Sequence, residues 1–241
     1  MEQSPFDSKQ DFASFYSPEE VAAEQQRFLT KVFSWMAFAL AITGVVAWWT
    51  AQTPAVMNLV FSSRLGFYAL LGAEIGLVMW ISSSIERMSA QRATFLYVVY
   101  AVLNGLTLSV VFMLFTQASI ASTFYITAGM FGAMSLYGYT TKKDLSGWGS
   151  ILIMGVVGLI IASVVNMFLN STMLYWITSY VGVFIFAALT AYDMQKIKEM
   201  NIIGNEGTEE DHKEAIMGAL TLYLDFINLF LYLLRIFGNR K

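Results

Sequence analysis

The chain has no cysteine and a single histidine, His212, in 241 residues. Disulfides and thiolate metal sites are therefore excluded, and Ser-His-Asp catalysis and histidine-rich zinc sites become remote. Charge is scarce as well. Only 13% of residues are charged, about half of the roughly 25% usual in soluble proteins. The net charge of −3 argues against nucleic acid as a partner. No phosphate-cradling glycine loop, internal repeat or secretory signal is visible. The first 27 residues are polar and acidic, not a basic stretch followed by an apolar one.

What the chain has is apolar length. Hydrophobic residues make up 57% of it, and a membrane-crossing helix needs about 20 such residues in a row. Seven runs qualify, near 30–51, 66–85, 93–115, 120–139, 149–169, 173–194 and 215–236. The short turns between the later runs leave six or eight as alternatives. The expectation is an all-α integral membrane protein with seven transmembrane helices (residues 28–241) behind a polar N-terminal tail (1–27). Ser17 and Glu20 fit a helix capping box at the end of that tail. Ten of the 14 Lys and Arg residues fall in loops on one side and four on the other. The positive-inside rule then puts the N-terminus in the cytoplasm and the C-terminus outside. Trp48, Trp49, Trp148 and Trp176 suit interfacial belts, and Arg235 suits a snorkelling anchor. The loop 200–214 reads as a solvated cytoplasmic linker or as a cation-attracting vestibule.

Three acids interrupt the apolar runs. Asp225 lies within LTLYLDFINLFLYLLRIF, Asp193 closes FAALTAYDM, and Glu74 sits in LLGAEIGL between Gly72 and Gly76. A charge at the centre of a bilayer costs at least about 2.5–3.5 kcal/mol, so such residues are normally functional. In the expected topology both aspartates occupy the cytoplasmic half. Two carboxylates in contact do not both ionise easily and titrate as a unit. They also offer oxygen ligands to a hard cation such as calcium. The plainer reading is a pair of hydrogen-bonded acids that stabilise the bundle. Glu74 reads as a pore or proton site, or as a structural acid. The glycines flanking it, four residues apart, suggest close helix approach. Arg87, beside Arg92, is positioned to latch Asp193, or is an ordinary positive-inside anchor. Asn104 and Asn228 are polar residues for the pore or for helix–helix bonding, and Asn228 shares a helical face with Asp225.

These residues resemble the transmembrane Bax-inhibitor-motif family in its bacterial branch, over about Phe28–Arg240. The C-terminal ALTLYLDFINLFLYLLRIFG is the most specific piece. AYDM, GAEIGL, LNGLTLS and the glycine-rich fourth and fifth runs support it. The resemblance implies a seven-helix fold with the last helix central, in the bacterial inner membrane. It also implies a pH-modulated calcium leak through a di-aspartyl pair latched by an arginine. The pair falls on Asp193 and Asp225, also the transient calcium ligands, and the latch on Arg87. The linker Asn201–Ala215 is longer than the family pattern. No enzyme activity and no cofactor are expected, with Ca2+ as the permeant ion and the lipid bilayer as partner. The alternative is an interaction protein that regulates a membrane protease or stress and cell-death responses, with the N-terminal tail as recruiter. An intramembrane aspartyl hydrolase is a third reading, but the glycine-containing motif of that class is lacking.

Overall fold

A computed structural model describes residues 17–241. Seven helices in it are long and apolar enough to cross a membrane, and the described residues form no strand beyond one isolated bridge, Phe115 to Arg240. In chain order the helices are α1 (Pro18–Gln52), α2 (Pro54–Phe61), α3 (Arg64–Ser84), α4 (Ala90–Leu114), α5 (Gln117–Thr140), α6 (Ser146–Leu169), α7 (Thr172–Met200) and α8 (Glu209–Phe237). A 3-10 turn, Ile85–Arg87, follows α3.

Most ends are set by local chemistry. At α1, Ser17 Oγ accepts from the Glu20 N–H (3.3 Å) and the Glu20 carboxylate accepts from the Ser17 N–H (2.7 Å). That reciprocal pair, with Pro18 at the first helical position, is a full capping box. It starts α1 twelve residues ahead of the apolar run. Thr116 caps α5 through the Ser119 N–H. Asn170 ends α6 in the left-handed region (φ 47°), which asparagine tolerates better than most residues. The eight-residue α2 was not anticipated, because VMNLVF is too short to register as a span. Residues 1–16 of the expected tail lie outside the described residues.

The described chain divides into two compact units. One runs to Ser109 and resumes over Ile197–Leu220; the other comprises Val110–Lys196 and Thr221–Lys241. In the first unit α1 packs closely on α4. Thr43 Oγ1 donates to the Ala101 carbonyl (2.9 Å), and a Cβ at Gly105 would sit 2.8 Å from that of Val46. Gly72 and Gly76 play no such part. Among the described residues nothing lies within 4 Å of a Cβ placed at either, so the expected close approach there is absent.

The acidic loop is no free linker. Arg27 bonds both carboxylate oxygens of Glu206 (2.9 and 3.0 Å), and Lys31 reaches buried Asp211 (2.6 Å). Glu24 accepts from the Gly204 N–H (2.8 Å), and Glu209 accepts from the Ala90 N–H at the start of α4 (2.8 Å). His212 meets Thr94 Oγ1 (3.1 Å) and stands edge-on to Trp35. The loop thus straps α1, α4 and the start of α8 together.

The Arg27 hydrogen bond holds the Glu206 carboxyl below its ordinary value of 4.5. An acid held low in the fold contributes above its ordinary value and loses that contribution as pH falls through and below it. Amide exchange across 201–208 should therefore accelerate as pH drops from 6 to about 4, after correction for intrinsic rates. Arg27→Gln should show the fast exchange already at pH 6; a wild-type rate at that pH would remove the ion pair as the strap's tether.

Candidate functional site

Both aspartates belong to the second unit. Asp193 lies in the last third of α7 and Asp225 in the middle of α8. The rotation of α8 about its axis is set by its buried face, on which Leu222, Phe226 and Leu229 are at most 3% exposed. Phe226 is wedged edge-on between Phe124 and Phe131 of α5, each with a centroid 5.4 Å away. Asp225 precedes Phe226 directly and turns inward with it, at 4% exposure.

Small residues bring α7 into place. A Cβ at Gly138 of α5 would collide with the Ala191 carbonyl, and one at Gly149 of α6 would lie 2.5 Å from the Tyr192 hydroxyl. These contacts immediately precede Asp193. One turn further on, Gln195 clasps the α5–α6 connection. Its Oε1 accepts from the Leu145 N–H (2.8 Å), and its Nε2 donates to the Lys143 carbonyl (2.9 Å). Phe186 stacks on Tyr232 at 5.7 Å, and Tyr232 also fills the space beside Gly182, joining α7 to α8 by a second contact.

As a result, the Asp193 and Asp225 side chains come within hydrogen-bonding reach of each other. Asp225 Oδ2 is fully enclosed and meets no donor among the described residues. Exposed Lys196, one turn beyond Asp193, acts on it electrostatically. Composition alone did not single out Lys196, although its i+3 spacing from Asp193 was a usable signal. Asn228 does not join the pair through a side-chain bond; its Nδ2 donates to the Leu224 carbonyl of its own helix (2.8 Å).

Glu74 belongs to the first unit and is buried. Its carboxylate accepts from Asn104 Nδ2 (3.3 Å) and from Thr107 Oγ1. Thr107, three residues after Asn104 in LNGLTLS, completes a cradle on one face of α4; sequence reasoning stopped at the asparagine. Arg87 closes the 3-10 turn, is exposed, and lines a cleft of about 410 Å³ with Trp80, Ser84, Met88, Arg92, Phe95 and Leu96. It has no ion-pair partner among the described residues. Those residues also contain no cluster of three or more His, Cys, Asp or Glu side chains placed to hold a metal.

Long apolar helices around buried carboxyls define a multi-pass integral membrane protein. The model of one family, described as Inhibitor of apoptosis-promoting Bax1, matches residues 25–241, and the chain belongs to that family. It is 52% identical over 217 residues to the Inner membrane protein YbhL of Escherichia coli (strain K12), covering 90% of this chain and 93% of the relative. An uncharacterized protein of Borreliella burgdorferi is 47% identical, with coverage of 90% and 94%. One from Deinococcus radiodurans is 41% identical, with coverage of 93% and 98%. The bacterial inner membrane is the compartment of this chain, as of its Escherichia coli relative.

Gly138→Ala should destabilise the protein by about 1–3 kcal/mol, because the new methyl group meets backbone that cannot rotate away. Gly129→Ala, on the same helix with open space around its Cβ, should be neutral or stabilising by up to about 1 kcal/mol. Thermal unfolding in detergent separates the two; equal behaviour would mean that the α5–α7 contact is not tight.

Proposed function

We propose that the chain is a pH-sensitive cation leak with calcium as the favoured ion, and that Asp193 and Asp225 form its gate and transient ion site. The N-terminus is cytoplasmic and the C-terminus outside, so the pair sits in the cytoplasmic half of the membrane. The supporting observation is the approach of two carboxyl groups inside apolar helices, one of them with an enclosed oxygen that no donor satisfies. Carboxyls kept for structure alone would be expected to hold donors, as Glu74 does.

Two carboxyls in contact share a proton more readily than they carry two charges. Protonated, the pair is a closed hydrogen-bonded bridge between α7 and α8. Deprotonated, it repels itself and offers hard oxygens to a cation. Calcium takes about six to eight oxygen ligands, more than two carboxyls supply. The ion therefore keeps part of its water shell and leaves again, as a leak requires. Arg87 is the latch in this scheme: while the shared proton sits on Asp225, Asp193 keeps its charge and Arg87 pairs with it, restraining the closed state.

The test is calcium entry into proteoliposomes stepped from pH 6 to 8. The wild-type rate should change severalfold across that range. Asp193→Asn and Asp225→Asn should each flatten the profile, and Arg87→Gln should raise the closed-state rate while keeping pH dependence. If both asparagine variants retain the wild-type profile, the pair is not the gate.

A further inference from the structure

The second unit holds a cavity of about 490 Å³ where the C-terminal end of α8 meets the start of α7. Two guanidinium groups line it, and none of its lining residues is acidic. Arg235, half-buried, lies over the rings of Tyr232 (5.1 Å) and Tyr175 (5.9 Å). Arg240 lies over the same Tyr175 ring (6.0 Å), with Nη2 at 3.5 Å from its hydroxyl. Stacking engages the flat face of a guanidinium and leaves its N–H edges for an acceptor. Among the described residues neither arginine has a carboxylate partner, so two like charges converge on one tyrosine without compensation.

The rest of the wall supplies more donors. Asn166 Oδ1 accepts from the Ser171 N–H (2.9 Å), which leaves its NH2 group as a donor. Ser171 caps the 29-residue α7 through the Leu174 N–H (3.3 Å). Ser171 and Thr172, at the start of this helix, line the same wall, at the positive end of the helix dipole. Two forked cations, hydroxyls, an amide and a helix start match a tetrahedral oxyanion bound from several directions. Trp176, half-exposed on this rim, is a residue type that settles at the headgroup level of a bilayer.

We propose that this cavity is a phosphate-binding site with Arg235 and Arg240 as its principal ligands. The anion is either the headgroup of an anionic phospholipid or free phosphate. The site shares no residue with the carboxyl pair and stands whether or not that pair gates an ion.

The experiment uses the full-length protein in an uncharged maltoside detergent. Inorganic phosphate, phosphatidylglycerol and phosphatidylcholine are titrated separately. Thermal unfolding reports stabilisation, and native mass spectrometry reports retained ligand. A gain with phosphatidylglycerol beyond that with phosphatidylcholine assigns the site to a lipid headgroup; a gain with inorganic phosphate alone assigns it to the free ion. Arg235→Gln/Arg240→Gln should weaken the effective ligand at least about tenfold, since bonds to charged groups contribute well over a factor of ten. Arg235→Lys/Arg240→Lys keeps the charge but loses the fork, and should fall between wild type and the glutamine variant. It also serves if the glutamine variant does not fold. Lys142→Gln/Lys143→Gln makes the same change in net charge on exposed residues and should bind as wild type. The proposal is overturned if no ligand binds, or if the arginine variants lose no more affinity than the lysine control.

Discussion

A carboxyl group inside an apolar helix has to find a partner within the protein, because hydrocarbon offers none. The second unit depends on how that demand is met at Asp225. Its partner is another carboxyl, on α7, so α7 and α8 must approach closely at one particular register. Glycine opposite Ala191 and Tyr192 lets α7 sit deep against α5 and α6. The Phe124–Phe226–Phe131 wedge fixes which face of α8 turns inward. The Gln195 clasp holds the far end of α7 to the α5–α6 connection. Each of these contacts would be ordinary packing elsewhere; together they determine whether two acids meet.

The first unit treats its acids in the opposite way. Glu74 has an amide and a hydroxyl donor, Glu24 a backbone N–H, and Asp211 both Lys31 and the Gly207 N–H. A buried carboxyl group with such donors is held in place, and moving it costs the bonds it has made. A carboxyl whose main partner is a second acid has no such arrangement, and the protonation state decides whether the contact attracts or repels. The contrast within one chain is between acids that hold donors and acids whose partner is a second acid.

Much of this is legible in the sequence. Spans follow from apolar length, and seven helices stand where seven runs were read. The Ser17–Glu20 capping box is a local pattern that needs no tertiary help, and it formed as its spacing demands. Asp193 and Asp225 stand out because a charge in such surroundings is costly. What stayed hidden was long-range or contextual. The acidic loop has the composition of a solvated linker, and only its neighbours Arg27, Lys31 and Glu24, some 180 residues earlier, make it a strap. Gly72 and Gly76 carry the spacing of a helix interface but face outward, since spacing gives a shared face and not what covers it. Thr107 was missed because threonine in an apolar run is unremarkable until a carboxylate lies opposite.

Lysine and arginine differ in what they can do beside a carboxylate. Lysine is a compact, mobile, strongly hydrated charge, whereas arginine presents a rigid fork that pairs a carboxylate at two points. Lys196 rides on α7 itself, one turn beyond Asp193, and acts on that acid electrostatically. A latch has to do something else: it must hold in one state and release in another, which requires a group carried on a different element from the acid it restrains. Arg87 meets that condition, at the exposed end of a 3-10 turn rather than within α7. Under the proposed gating the two residues serve different steps. In that scheme a lysine on the same helix acts on the pair by its charge alone, whereas a forked arginine pairs best with an ionised carboxylate, which accepts two parallel N–H bonds.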